Sequence, residues 1–156
     1  MKGCKKTGIM GGTFNPIHNG HLILANTAYE MLGLDEVLFM PSGNSYMKKN
    51  VIATKKRIDM VRLAIEKYPW FALSLVETNR QGNSYTSETL QELTKENPVL
   101  LLDDVLSELD SNRQNYLLST IGDIQTIITC TGLDEFVNNR FEIDKVFKIE
   151  NGRIAE

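Results

Sequence analysis

The feature that most constrains this chain is the run Gly11-Gly12-Thr13-Phe14-Asn15-Pro16-Ile17-His18-Asn19-Gly20-His21. In front of it, Thr7–Met10 reads as a strand that Gly11-Gly12 ends. Behind it, Gly20–Leu32 reads as a helix, with Asn19 as its cap and Gly33 as its stop. Around this unit, short apolar runs alternate with longer amphipathic ones, which reads as a parallel sheet covered by helices. Glycines also let the backbone turn sharply and approach a ligand, while free N–H groups at a helix start favour an anion. The chain has two histidines, His18 and His21, and they lie three apart across the first helical turn. Both can therefore face one phosphate group and donate hydrogen bonds to charge that builds up on phosphoryl oxygens. The plainer alternative is a tight strand–helix turn with two surface histidines. The length of the run, placed between a strand and a helix, favours the phosphate cradle.

The rest of the chain continues the alternation. Glu36–Met40 reads as a second strand halted by Pro41, and the polar stretch Pro41–Ala53, with Lys48 and Lys49, as a functional loop. Thr54 can cap a helix to about Lys67, with Ile58, Val61 and Ile65 on one face. Phe71–Leu75 alternates as a strand, Ser87–Lys95 reads as a helix, and Val99–Leu102 is the continuous apolar run of a central parallel strand. Asp110 caps a helix to Ile121, with Leu117, Leu118 and Ile121 as its buried side and Gly122 closing it. A strand over Gln125–Thr131, a helical turn over Leu133–Asn138, and a hairpin of Val146–Ile149 and Arg153–Ala155 around Asn151-Gly152 complete the reading. The expected fold is one α/β domain over residues 1–156. It is a three-layer, open, mostly parallel sheet in the order 3-2-1-4-5, with a C-terminal β-hairpin.

Charge divides the chain. Residues 1–98 carry a net charge of +3 and residues 99–156 a net charge of −6. The acidic second part argues against a grip on nucleic acid, which needs a basic footprint. The longest apolar runs are too short to span a bilayer, and no apolar stretch follows the basic start, so neither a membrane span nor a signal peptide is expected. Cys4 and Cys130 lack metal or redox spacing, which fits two structural thiols in a reducing cytoplasm. Oligomeric state is left open.

With these residues in view, the first part resembles the nucleotidyltransferase superfamily. His18-Asn19-Gly20-His21 resembles its His-x-Gly-His signature, and the preceding Gly-Gly-Thr-Phe-Asn-Pro-Ile is similar to the nicotinate mononucleotide adenylyltransferase branch. Phe39–Asn44 followed by Lys48-Lys49, and Asn83–Leu90, resemble two further stretches of that branch. The resemblance implies ATP plus nicotinate mononucleotide as ligands, usually with Mg²⁺, and the mononucleotide's own phosphate as nucleophile. It implies that His18 and His21 are catalytic and hold ATP phosphates, with Gly11, Gly12, Thr13, Phe14 and Gly20 at the ligand backbone. Lys48 would neutralise phosphate, or else form with Lys49 a solvated pair, and Asn44, Tyr85 and Thr86 would line the nicotinate side.

Beyond Pro98 the resemblance changes. Pro98–Asp110, with Asp103-Asp104 at the end of the apolar run, resembles the Walker B strand and D-loop of RecF-type DNA-repair ATPases. Gln125–Thr131 and Lys145–Ile154 continue that likeness. Neither the late triphosphate-binding motif of the adenylyltransferases nor the P-loop and signature motif of the ATPases stands in the sequence. The simplest reading is a chimera joined near Asn97-Pro98, where the charge also swings. Asp103 is the candidate Mg²⁺ ligand, and Asp104 falls in register with the adenylyltransferase family's aspartate. The expected function is small-molecule nucleotide binding with weak or absent adenylyl transfer. The alternatives are a scaffold without chemistry and, more remotely, a DNA-repair ATPase fragment.

Overall fold

A computed structural model of the protein describes residues 5–43, 51–79, 98–122, 124–131, 143–150 and 153–154. Five parallel strands form one sheet in the order β3-β2-β1-β4-β5, as expected: β1 (Thr7–Gly12), β2 (Glu36–Pro41), β3 (Phe71–Leu73), β4 (Val99–Asp103) and β5 (Thr126–Thr129). The first three strands come from the stretch before Pro98 and the last two from the stretch after it. They meet where Gly8–Gly11 of β1 pairs with Val99–Leu102 of β4. A separate hairpin pairs β6 (Ile149–Glu150) with β7 (Arg153–Ile154).

Side chains alternate across the sheet and build two cores. On one face, Met10, Val37, Phe39, Phe71, Val99 and Leu101 meet α1 (Asn19–Leu32) through Ala25 and Ala28, and α2 (Thr54–Ile65) through Val61 and Ile65. On the other, Ile9, Met40, Leu100 and Leu102 meet α4 (Ser111–Ile121) through Leu117, Leu118 and Ile121. A single turn, α3 (Val76–Asn79), follows β3, and a 3-10 turn over Val105–Glu108 links β4 to α4.

Several boundaries differ from expectation, each for a local reason. Gly11 and Gly12 remain inside β1, paired with Met40 and Pro41 of β2, so the turn begins at Thr13. The cap of α1 is His18, not Asn19. His18 has extended backbone, and its amide donates to His21 Nδ1 at 3.2 Å. Thr54 is the first residue of α2 rather than its cap, because its Oγ1 accepts from Arg57 within the same turn. That helix stops at Ile65, whose carbonyl accepts from the Tyr68 amide. Strand β3 ends at Leu73, since the Leu75 carbonyl accepts from Asn79 N and Thr78 Oγ1 and starts a helical turn. β5 is shorter than Gln125–Thr131, and β6 begins only at Ile149.

Other ends fall as read. Gly33 closes α1 in the left-handed region, and Asp110 accepts from Asn112 N and Arg113 N at the start of α4. The expected helix at 87–95, the turn at 133–138, the loop residues 44–50 and the Asn151-Gly152 tip lie outside the described residues.

Candidate functional site

The site forms beyond the carboxyl ends of β1 and β4. Helix α1 leaves β1 on one face of the sheet and α4 follows β4 on the other, so this is where the strand order reverses. Open parallel sheets take ligands at such a switch point. The β1–α1 link begins with Thr13 and Phe14. Phe14 sits at a positive φ of 49°, which points its ring inward, where it is buried 5.0 Å edge-on from the His21 ring and 6.0 Å from Phe39. A Cβ on Gly12 would approach that ring to 3.2 Å, so the second glycine makes room for it. The Asn15–Pro16 peptide bond is cis.

His18 and His21 stand on the first turn of α1 with ring centroids 3.7 Å apart, His21 buried and His18 exposed. A Cβ on Gly20 would lie 3.0 Å from His18 Nδ1 and 3.7 Å from Asp103 Oδ2. The glycine of the motif therefore leaves space where the imidazole and the carboxylate converge. Asp103, the last residue of β4, places Oδ2 3.9 Å from His21 Nε2, and its Oδ1 accepts from Thr129 Oγ1 on β5. Donor atoms of His18, His21 and Asp103 all lie within 4.8 Å of one another.

The cap hydrogen bond fixes the chemistry of His21. Its Nδ1 accepts from the His18 amide, so in the neutral ring the proton sits on Nε2, the nitrogen that faces Asp103. That nitrogen is a hydrogen-bond donor, suited to an anionic oxygen and not to a metal ion. Asp103 is the one oxygen donor of the three, and Mg²⁺ is held by one or two carboxylates together with substrate phosphates. The residues present fit that cation in this limited way.

The structure thus brings together Gly11, Gly12, Thr13, Phe14, His18, Gly20, His21 and Asp103. Asp104 is next in sequence but takes a left-handed backbone (φ 52°), is exposed, and is tied by its amide to Thr129. Asn44, Lys48, Tyr85 and Thr86 lie outside the described residues.

Sequence reasoning missed Arg57. On α2 it is 1% exposed, and its guanidinium donates to the carbonyls of Thr13 (2.6 Å), Ser42 (3.0 Å), Gly43 (3.2 Å) and Ile52 (3.0 Å). Burial draws its pKa below the ordinary guanidinium value. Asn15 Oδ1 adds a second tie by accepting from Ile52 N at 2.9 Å.

A family model described as cytidylyltransferase-like matches residues 9–149, across both stretches. The chain belongs to the cytidylyltransferase-like family. Among its curated relatives, a probable nicotinate-nucleotide adenylyltransferase of Dehalococcoides mccartyi is 50% identical over 90 residues, 56% of this chain and 44% of that protein. A DNA replication and repair protein RecF of Lachnospira eligens is 64% identical over 68 residues, 44% of this chain and 19% of that protein. The RecF of Agathobacter rectalis is 74% identical over 57 residues, 36% of this chain and 16% of that protein. The chain spans less than half the length of each of these three. No helix among the described residues is long and apolar enough to cross a membrane.

Proposed function

We propose that this cytidylyltransferase-like chain binds ATP with Mg²⁺ at the cleft of His18, His21 and Asp103, with nicotinate mononucleotide beside it, and transfers the adenylyl group weakly or not at all. One observation carries the reading: the histidine pair stands on the first turn of a helix at the switch point of an open parallel sheet, with a donor nitrogen fixed toward the cleft.

His21 Nε2–H and the exposed His18 ring would donate to phosphate oxygens, and Gly11–Phe14 would bring backbone close to them. Asn44, Tyr85 and Thr86 would serve the mononucleotide, and Lys48 the phosphates. In a transfer reaction the mononucleotide phosphate attacks the α-phosphorus of ATP, the α–β bridging bond breaks, and pyrophosphate leaves. No side-chain nucleophile is needed, so these residues act by orientation and charge stabilisation.

Asp103 makes the cation necessary. A carboxylate about 4 Å from a phosphate oxygen costs about 4 kcal/mol at an effective dielectric near 20. Asp103 would hold Mg²⁺, whose charge would offset that repulsion, and Asp104 would add to the repulsion in its absence. Titration calorimetry with ATP, with and without Mg²⁺, tests the reading: binding should need the cation, and equal binding in both would take the carboxylates out of the site.

A second reading, a folded scaffold without chemistry, is favoured by the RecF match over 44% of this chain. In either case we take residues 1–156 as one domain assembled from an adenylyltransferase-like part and a RecF-like part. A DNA-repair ATPase activity would have to arise without a P-loop. Binding of Mg²⁺–ATP separates the first two readings, since the scaffold binds none; pyrophosphate release from ATP and nicotinate mononucleotide above that of His18→Ala then shows whether transfer accompanies binding.

A further inference from the structure

Arg57 has no part in the chemistry above, yet it is among the most completely buried side chains described. Among the described residues its hydrogen bonds run to neutral oxygens: four carbonyls and Thr54 Oγ1. Among the described residues no carboxylate pairs with it. A buried cation without a counter-ion is normally destabilising, so its retention needs a local reason. Three of its partners stand together at the site: Thr13 opens the β1–α1 link, and Ser42 and Gly43 follow β2 directly. The fourth, Ile52, leads into α2 and is tied back to the link by Asn15.

Two consequences follow from that geometry. A carbonyl held against the guanidinium is withheld from the cleft, where its negative end would repel a phosphate. The positive charge, which no carboxylate among the described residues cancels, also acts on the cleft through a poorly screened interior.

We propose that Arg57 is a positioning residue for the phosphate site, clamping the β1–α1 link to the chain after β2 and lending it positive charge. The proposal rests on the nucleotide-binding reading of the His18–His21 cleft.

The test uses the full chain and Mg²⁺–ATP, titrated over a range of salt concentrations for the unaltered protein, Arg57→Lys and Arg57→Met, with urea midpoints recorded beside each. Lysine keeps the charge but cannot span four carbonyls as the planar fork does. It should weaken binding about tenfold while keeping the salt dependence. Methionine loses both and should weaken binding about a hundredfold, with a flatter salt dependence because one screened attraction is gone. Should Arg57→Met fail to fold, Arg57→Lys and Asn15→Ala decide. Each should lower affinity with the salt dependence intact, and unaltered affinity in both overturns the clamp. Folded Arg57 variants that bind as the unaltered protein does, or an Arg57→Met that keeps its salt dependence, overturn the inference while leaving the nucleotide site standing. An unaltered protein that binds no Mg²⁺–ATP overturns both.

Discussion

The two faces of the sheet are built by different stretches of the chain. Among the described residues, the face under α1 and α2 is almost wholly made before Pro98 and takes Val99, Leu101 and a partly buried Ile127 from beyond it. The opposite face, under α4, is mostly made after Pro98 and takes Ile9 and Met40 from before it. Strand β4 serves both, odd residues to one side and even residues to the other. A central parallel strand is a run of apolar side chains with little individual character, so one such strand can stand in for another without disturbing either core. What cannot be exchanged so freely is the strand's end. There β4 delivers Asp103 to the histidines.

The largest test of this comparison is truncation in the shared strand. Leu101→Ala, at a fully buried position, should cost about 2–5 kcal/mol in urea unfolding. Leu118→Ala, on the α4 face and 8% exposed, should cost about 2 kcal/mol, at the low end of that range. Both should move one cooperative transition; two separated transitions would break the single-domain reading. Gly8→Ala comes next. Its Cβ would lie 2.8 Å from Leu34 Cδ1, an overpacking that should cost about 1–3 kcal/mol by the same measurement. Asp110→Ala removes the cap of α4 and should cost about 1 kcal/mol, thermal unfolding being the check. Gly20→Ala should change stability least, because an alanine suits a helix, yet it crowds His18 and should weaken ATP binding. Weakened stability with unchanged binding would reverse that account.

Much of this was legible in the sequence. The strand order followed from short apolar runs separated by helix-length amphipathic ones, and the histidine pair from its place between Gly11-Gly12 and the first helix. Arg57 was not legible. In Thr54-Lys55-Lys56-Arg57 three cations are adjacent, and nothing local says that the third meets carbonyls from residues 13, 42, 43 and 52. Choosing between Asp103 and Asp104 was within reach. Asp103 shares its parity on β4 with Val99 and Leu101, which pack toward α1 and therefore toward the histidines, whereas Asp104 lies past the strand's last pairing. The cap of α1 was missed because histidine is an uncommon cap; here the ring three residues on accepts its amide.

On the proposed function, a carboxylate from the second stretch completes an anion site made by the first. Calorimetric titration of ATP into the unaltered chain, His18→Ala and Asp103→Asn, each with and without Mg²⁺, tests it most directly. The unaltered chain should bind ATP only with Mg²⁺, Asp103→Asn should bind it without the cation, and His18→Ala should bind poorly in both conditions. Cation-independent binding by the unaltered chain, or a His18→Ala variant that binds as well as the unaltered chain, would contradict it.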